Sequence, residues 1–173
     1  EGTDIAQLAL DGVSCTACHQ IKPDNLGKPE SFTGHFEFTE EKTAYGPYKD
    51  VHAEPMENRN GYKPTQGEHL MDSGLCGSCH TLYTNPIDSE GNPTADVHFP
   101  EQTPFLEWRN SQYSSDMNGA EETCQSCHEP RTDQDGNPIK TQIARTKFGS
   151  AYPEEKVPKR EKYGRHLFVG GNT

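Results

Sequence analysis

Apolar residues are sparse along this chain, and only a few stretches keep a regular period. IAQLAL, directly after Asp4, predicts a short capped helix running toward Gly12. GEHLMDSGLCGSCH predicts a helical entry ending at His80. The strongest pattern is FLEWRNSQY, with Thr103 as N-cap and Pro104 at the first helical position. Its Phe105, Leu106, Trp108 and Tyr113 form a candidate packing face. Alternation at Phe32, Phe36 and Phe38 predicts a short strand or hairpin edge. From Thr141 to Arg165 the chain is charged and aperiodic, which predicts an extended wrap.

Between these stretches lie turn signals of a common kind. IKPDNLGKP supplies Pro23, Asp24, Asn25, Gly27 and Pro29. DSEGNP supplies Gly91, Asn92 and Pro93, and DQDGNP supplies Gly136, Asn137 and Pro138. Each follows a histidine at similar distance, so the chain contains a weak internal repeat of turn, short exit strand and Gly-Pro reversal. The acidic loops invite a calcium reading, but the full ligand run of an EF-hand is missing and tight turns account for them.

Composition sharpens the problem. The 173 residues are one domain by length, 1–173, yet only 29% are hydrophobic, with 13 Pro and 16 Gly. Such a chain has a thin core of its own and needs apolar mass from elsewhere.

Three short motifs supply a source. CTACH runs from Cys15 through Cys18 to His19, CGSCH from Cys76 through Cys79 to His80, and CQSCH from Cys124 through Cys127 to His128. All six cysteines fall inside them. The spacing is that of covalent c-type haem attachment. On one helical turn, cysteines at i and i+3 reach the two vinyl groups of a porphyrin, and histidine at i+4 projects toward the iron. Structural zinc uses CxxC pairs two at a time and does not explain why each is followed by histidine. A thioredoxin-like motif is expected once, beside a βαβ pattern that the sequence does not display. The predicted fold is therefore mostly irregular, with short α-helices wrapped around three covalently bound haems and little β structure, a short hairpin at most. Folding is expected to depend on haem attachment.

Five histidines lie outside the motifs: His35, His52, His69, His98 and His166. If each iron takes two imidazoles, three of these five are distal ligands and two are bystanders. Met56, Met71 and Met117 are the alternative ligands, but packing suits them better.

The stretches YGPYKD, SGLCGSCHTLYT, FPEQTPFLEWRNSQY followed by CQSCH, and HLFVGGN together resemble a large family of exported multihaem c-type cytochromes. That family is related to cytochromes sharing haem-packing motifs with octahaem hydroxylamine oxidoreductases. The resemblance spans about Gly12 to Asn172. It implies that the histidines soon after YGP, shortly before CxxCHT and within HxFxGGN are distal ligands, which here are His52, His69 and His166. His98 is the first reserve and His35 the second. Two features depart from the family: Glu129 and Pro130 stand where Met-Pro is common after the third motif, and the chain stops at Thr173 where relatives continue, as expected of a minimal module.

The balance of 27 acidic against 16 basic side chains gives −11, which argues against nucleic acid as partner. No stretch approaches the length of a membrane span. A cytochrome of this type is assembled outside the cytoplasmic membrane, so Glu1 is expected to follow a removed export signal, and the location to be periplasmic or extracellular. Irons saturated by two imidazoles imply outer-sphere electron transfer with no catalytic residue. The partners would be redox proteins or extracellular acceptors, or further copies of the chain in a filament with haems stacked between subunits, where His166 is the residue best placed to reach across. The alternative is a reductase or oxidase of a small inorganic substrate at one five-coordinate haem.

Overall fold

The computed structural model describes residues 5–6, 10, 12–94, 98–117, 122–142, 144–146, 148–161 and 163–170. The helix expected from Asp4 toward Gly12 falls largely outside them, although Ile5, Ala6 and Leu10 are helical.

Regular elements are short, and loops make up most of the chain. Helix α1 (Cys15–His19) is the first motif itself. Strand β1 (Thr43–Gly46) is followed by helix α2 (Glu54–Asn60) and strand β2 (Lys63–Gln66). Helix α2 stops where Gly61 turns left-handed at φ 78 and returns its N–H to the Glu57 carbonyl, a conformation glycine adopts without a Cβ penalty. The two strands pair in parallel, Thr43 opposite Lys63 and Gly46 opposite Gln66. This corrects the expectation of a hairpin at most: the α2 crossover carries the chain back so that β2 runs in the same direction as β1. Strands β3 (Leu82–Thr84) and β4 (Phe99–Gln102) form a separate antiparallel pair.

The entry to the second motif is helical but broken. A 3₁₀ turn covers Glu68–Met71, then Asp72 adopts an extended conformation and helix α3 begins at Ser73–Gly77. The Asp72 carboxylate accepts the Gly74 N–H at 2.6 Å, so the acid serves as N-cap and interrupts what periodicity alone reads as one helix. Helix α4 (Pro104–Arg109) has Pro104 in its first turn as expected but ends well before Tyr113. Asn110 Nδ2 turns back to the Leu106 carbonyl at 2.7 Å, and Ser111 Oγ donates to the Trp108 carbonyl at 2.7 Å. These side-chain bonds compete with continuation of the helix. Helix α5 (Cys124–His128) is the third motif.

Phe32, Phe36 and Phe38 do not form a strand. Phe32 is buried in a 3₁₀ segment, Pro29–Gly34, where Thr33 is left-handed, and Phe38 makes one isolated bridge to Ile21. Among the described residues of the tail from Thr141 to Arg165 there are turns and two isolated bridges, Thr141 to Arg160 and Arg145 to Ala151, in keeping with little regular structure. Gln142 anchors it by donating Nε2 to the carbonyls of Tyr152 and Val157, each at 2.7 Å.

Two of the three reversals share one construction. Asp88 Oδ1 accepts the N–H groups of Glu90 and Asn92, and Asp133 Oδ1 accepts those of Asp135 and Asn137. Gly91 and Gly136 take φ 85 and 82. The loop after His19 is different: Asn25 and Gly27 are its left-handed residues, and no carboxylate caps it from within.

The core is small. Ile21, Leu70 and Leu75 form one buried cluster, flanked by Leu26, Phe36 and Tyr45. Phe105 stands edge-on to Phe32 at 6.0 Å and stacks on Trp108 at 5.6 Å. It also lies against α3, because a Cβ on Gly77 would sit 2.6 Å from its Cγ. Meanwhile Leu10, Val13, Ile87, Phe99, Phe148, Leu167 and Phe168 are all more than half exposed. The chain exposes 12385 Å², whereas a compact monomer of this mass exposes roughly 8,500 Å².

Candidate haem attachment sites and their histidines

Each motif makes a helical turn. Cys15 to His19 and Cys124 to His128 are complete helical turns, and in the second motif the His80 N–H reaches the Cys76 carbonyl at 2.8 Å. Thr123 caps the third by accepting the Ser126 N–H at 3.2 Å. The cysteines are free and none is buried: Cys15, Cys79 and Cys127 are exposed, Cys18, Cys76 and Cys124 partly so.

The motifs converge. Cys76 and Cys124 are neighbours, and their interaction pushes Cys76 up and draws Cys124 down from the ordinary thiol range. Burial raises Cys18, and the neighbouring Cys79 raises it further. Gln125 adds a tie between motifs by donating Nε2 to the carbonyls of Leu70 and Asp72 at 3.1 and 2.8 Å. The Cys124 N–H also reaches Ser73 Oγ at 3.0 Å.

Two motif histidines are oriented by backbone. His19 donates Nδ1–H to the Tyr45 carbonyl and His128 donates Nδ1–H to the Val169 carbonyl, each at 2.5 Å. Such a bond fixes the tautomer and leaves Nε2 with its lone pair available, as in metal-ligating histidines. His80 is exposed; its carbonyl accepts the Phe105 N–H at 3.4 Å. YGPYKD and HLFVGGN stand out in the sequence for their histidine neighbours. Nothing in residue type marks the carbonyls of Tyr45 and Val169 as the orienting groups, because backbone acceptors leave no residue-type signature.

The other histidines are placed unequally. His166 faces His19, with ring centroids 5.9 Å apart and planes at 47°. The His166 Nε2 lies 3.9 Å from a carboxylate oxygen of Glu129. His166 thus turns inward, to a histidine of its own chain. His52 is half-buried with its ring 5.1 Å from that of Tyr152. His69 is turned to the core: Nε2 donates to the Ile21 carbonyl at 2.9 Å, its edge meets Tyr45 at 4.9 Å, and burial holds its imidazole below the usual range. Ligation through Nε2 would require breaking that bond. His35 donates Nδ1–H to the Phe32 carbonyl at 2.8 Å and is exposed, and His98 is exposed just before β4. Met71 Sδ lies 3.7 Å from an Arg131 nitrogen, and Met56 is partly exposed on α2.

Among the described residues no three His, Cys, Asp or Glu side chains gather as a metal site. A haem needs no such cluster, since the porphyrin supplies four of the iron's ligands and the chain only an opposed pair. The CxxCH turns, the Nδ1-anchored rings of His19 and His128, and the apolar side chains left on the surface fit haem as the bound group. No helix among the described residues is long and apolar enough to cross a membrane. Compared with models of known families, with curated proteins and with solved structures, the chain gives no match.

Proposed function

We propose that this chain is an electron-transfer module holding three covalent haems, a trihaem c-type cytochrome of the exported multihaem kind. The observation that carries the proposal is the CxxCH helical turn made three times, with His19 and His128 each oriented through Nδ1. A haem, when bound, supplies a one-electron couple at iron. The chain's own residues do the rest. Cys15 and Cys18, Cys76 and Cys79, and Cys124 and Cys127 would hold the three rings covalently, and His19, His80 and His128 would each supply an imidazole to the iron. His166 pairs with His19, and His52 and His69 are the remaining distal candidates, with His69 reaching its role only by giving up the Ile21 carbonyl. The bonds from Cys124 and Gln125 to the Leu70–Ser73 segment hold the second and third attachment points close together, which suits transfer of electrons between them.

With each iron taking two imidazoles, the module is a carrier serving redox proteins or extracellular acceptors outside the cytoplasmic membrane. The inward turn of His166 favours a discrete carrier over a filament in which that residue crosses to a neighbour. The enzyme alternative requires a five-coordinate iron.

One preparation tests these readings together. Mass spectrometry of the exported protein should show three haem additions, and paramagnetic resonance of the ferric form should show only low-spin signals. His166→Ala should turn one haem of three high-spin. A wild-type protein without haem, or a His166→Ala protein still fully low-spin, would sink the assignment, and a high-spin wild-type signal would restore the enzyme.

A further inference from the structure

In a chain carrying −11, two guanidinium groups converge without an acidic partner. Arg160 lies with its Cζ 5.7 Å from the Tyr48 ring centre and donates Nη2 to the carbonyls of Lys49 and Asp50, at 2.9 and 2.8 Å. Its Nε is buried and makes no hydrogen bond. Arg131 has a thioether as its described hydrogen-bond partner, Met71 Sδ at 3.7 Å, and sulfur is a weak acceptor. Tyr163 is the fourth member: the Arg131 carbonyl accepts the Ile139 N–H at 2.9 Å, and the Ile139 carbonyl accepts the Tyr163 N–H at 3.2 Å. All four residues are half-buried. Among the described residues neither arginine belongs to an ion pair.

Their positions are informative. Arg131 follows the third motif, Tyr48 precedes His52, and Arg160 and Tyr163 precede His166. Three segments bearing candidate iron ligands therefore each contribute a donor to one spot. A guanidinium with a free Nε–H against a tyrosine ring, with a second guanidinium on a neighbouring segment, is a donor set for a carboxylate, which accepts several charge-assisted bonds at once.

We infer that Arg131, Arg160, Tyr48 and Tyr163 form a carboxylate-binding site that receives a haem propionate. This rests on the haem reading above. The two arginines are positioning residues. Their positive charge beside an iron centre favours its reduced form, and the Arg160 Nε finds its acceptor.

The test uses the haem-loaded protein, its three haems first verified by mass. A protein without haem would remove the underlying reading and not merely this site. Midpoint potentials of wild type, Arg131→Gln, Arg160→Gln and the two Arg→Lys variants are then read by potentiometric titration of the visible bands. Each Gln variant should lower one of the three potentials and leave the others in place, while the Lys variants stay near wild type. Three unchanged potentials, or Lys variants that shift as far as Gln, would overturn the proposal. Should Arg160→Gln fail to fold, Arg131→Gln carries the test, because its described bond is only to Met71. Inorganic phosphate titrated into wild type should leave the same potential unmoved; a saturable phosphate-dependent shift would mean an exchangeable anion site and would overturn the propionate assignment.

Discussion

His128 and Val169 hold each other through two hydrogen bonds: the imidazole Nδ1–H meets the Val169 carbonyl at 2.5 Å, and the Val169 N–H meets the His128 carbonyl at 3.1 Å. A single C-terminal residue thereby fixes both the ring and the backbone of the third-motif histidine. Val169→Pro removes the returning N–H and should cost about 1 kcal/mol net, read as a lower denaturant midpoint of the haem-loaded protein. Because the ring loses part of its hold as well, the low-spin resonance of one haem should broaden while the other two keep their lines.

Gly77 is fixed by packing. A Cβ there would stand 2.6 to 2.8 Å from three ring carbons of Phe105, whose ring is itself held by Phe32 and Trp108. Gly77→Ala should destabilise by about 1–3 kcal/mol in denaturant unfolding. Adding Phe105→Leu to it should recover part of that loss, which an effect of the glycine backbone alone would not allow.

The two Asp-Gly-Asn-Pro turns should respond to acid. Asp88 and Asp133 lie below the ordinary value of 3.8, chiefly because each carboxylate accepts a backbone N–H, from Asn92 and Asn137 respectively. A depressed folded pKa means the stabilising contribution is complete above 3.8 and is lost as pH falls through the lower folded value. An Asp88→Asn, Asp133→Asn double variant keeps the turn geometry but should show a shallower loss of stability below pH 3.8.

Those same oxygens are committed to the turn, so calcium should find no site there. Adding calcium, or removing it with a chelator, should leave the thermal midpoint unchanged. A calcium-dependent rise abolished by the double variant would revive the calcium reading of these loops.

Haem attachment should decide whether the chain folds. Six buried hydrophobic side chains among the described residues, against at least as many large ones left exposed, leave little apolar burial to offset the ordering of a 173-residue chain. A variant with all six cysteines changed to serine should give the circular dichroism and amide exchange of an unfolded chain, and a cooperative melt from it would contradict this.

The sequence by itself determined what is local. The three CxxCH turns follow from spacings of three and four residues, the start of the Pro104 helix from its first residues, and the Asp88 and Asp133 turns from an Asp, Gly, Asn and Pro in fixed order. Each is closed by bonds between neighbours, so residue types suffice to specify it. Asp72 shows the limit, since a helix read from periodicity is broken there by a single capping carboxylate. Tertiary structure alone decided the parallel pairing of Thr43–Gly46 with Lys63–Gln66, the facing of His166 on His19, the burial of His69 against Ile21, and the placing of Arg160 against Tyr48. These join segments across long loops, and loop closure costs change only slowly with length, so chain distance does not choose among the histidines. Packing and backbone carbonyls choose, and those are features of the folded chain.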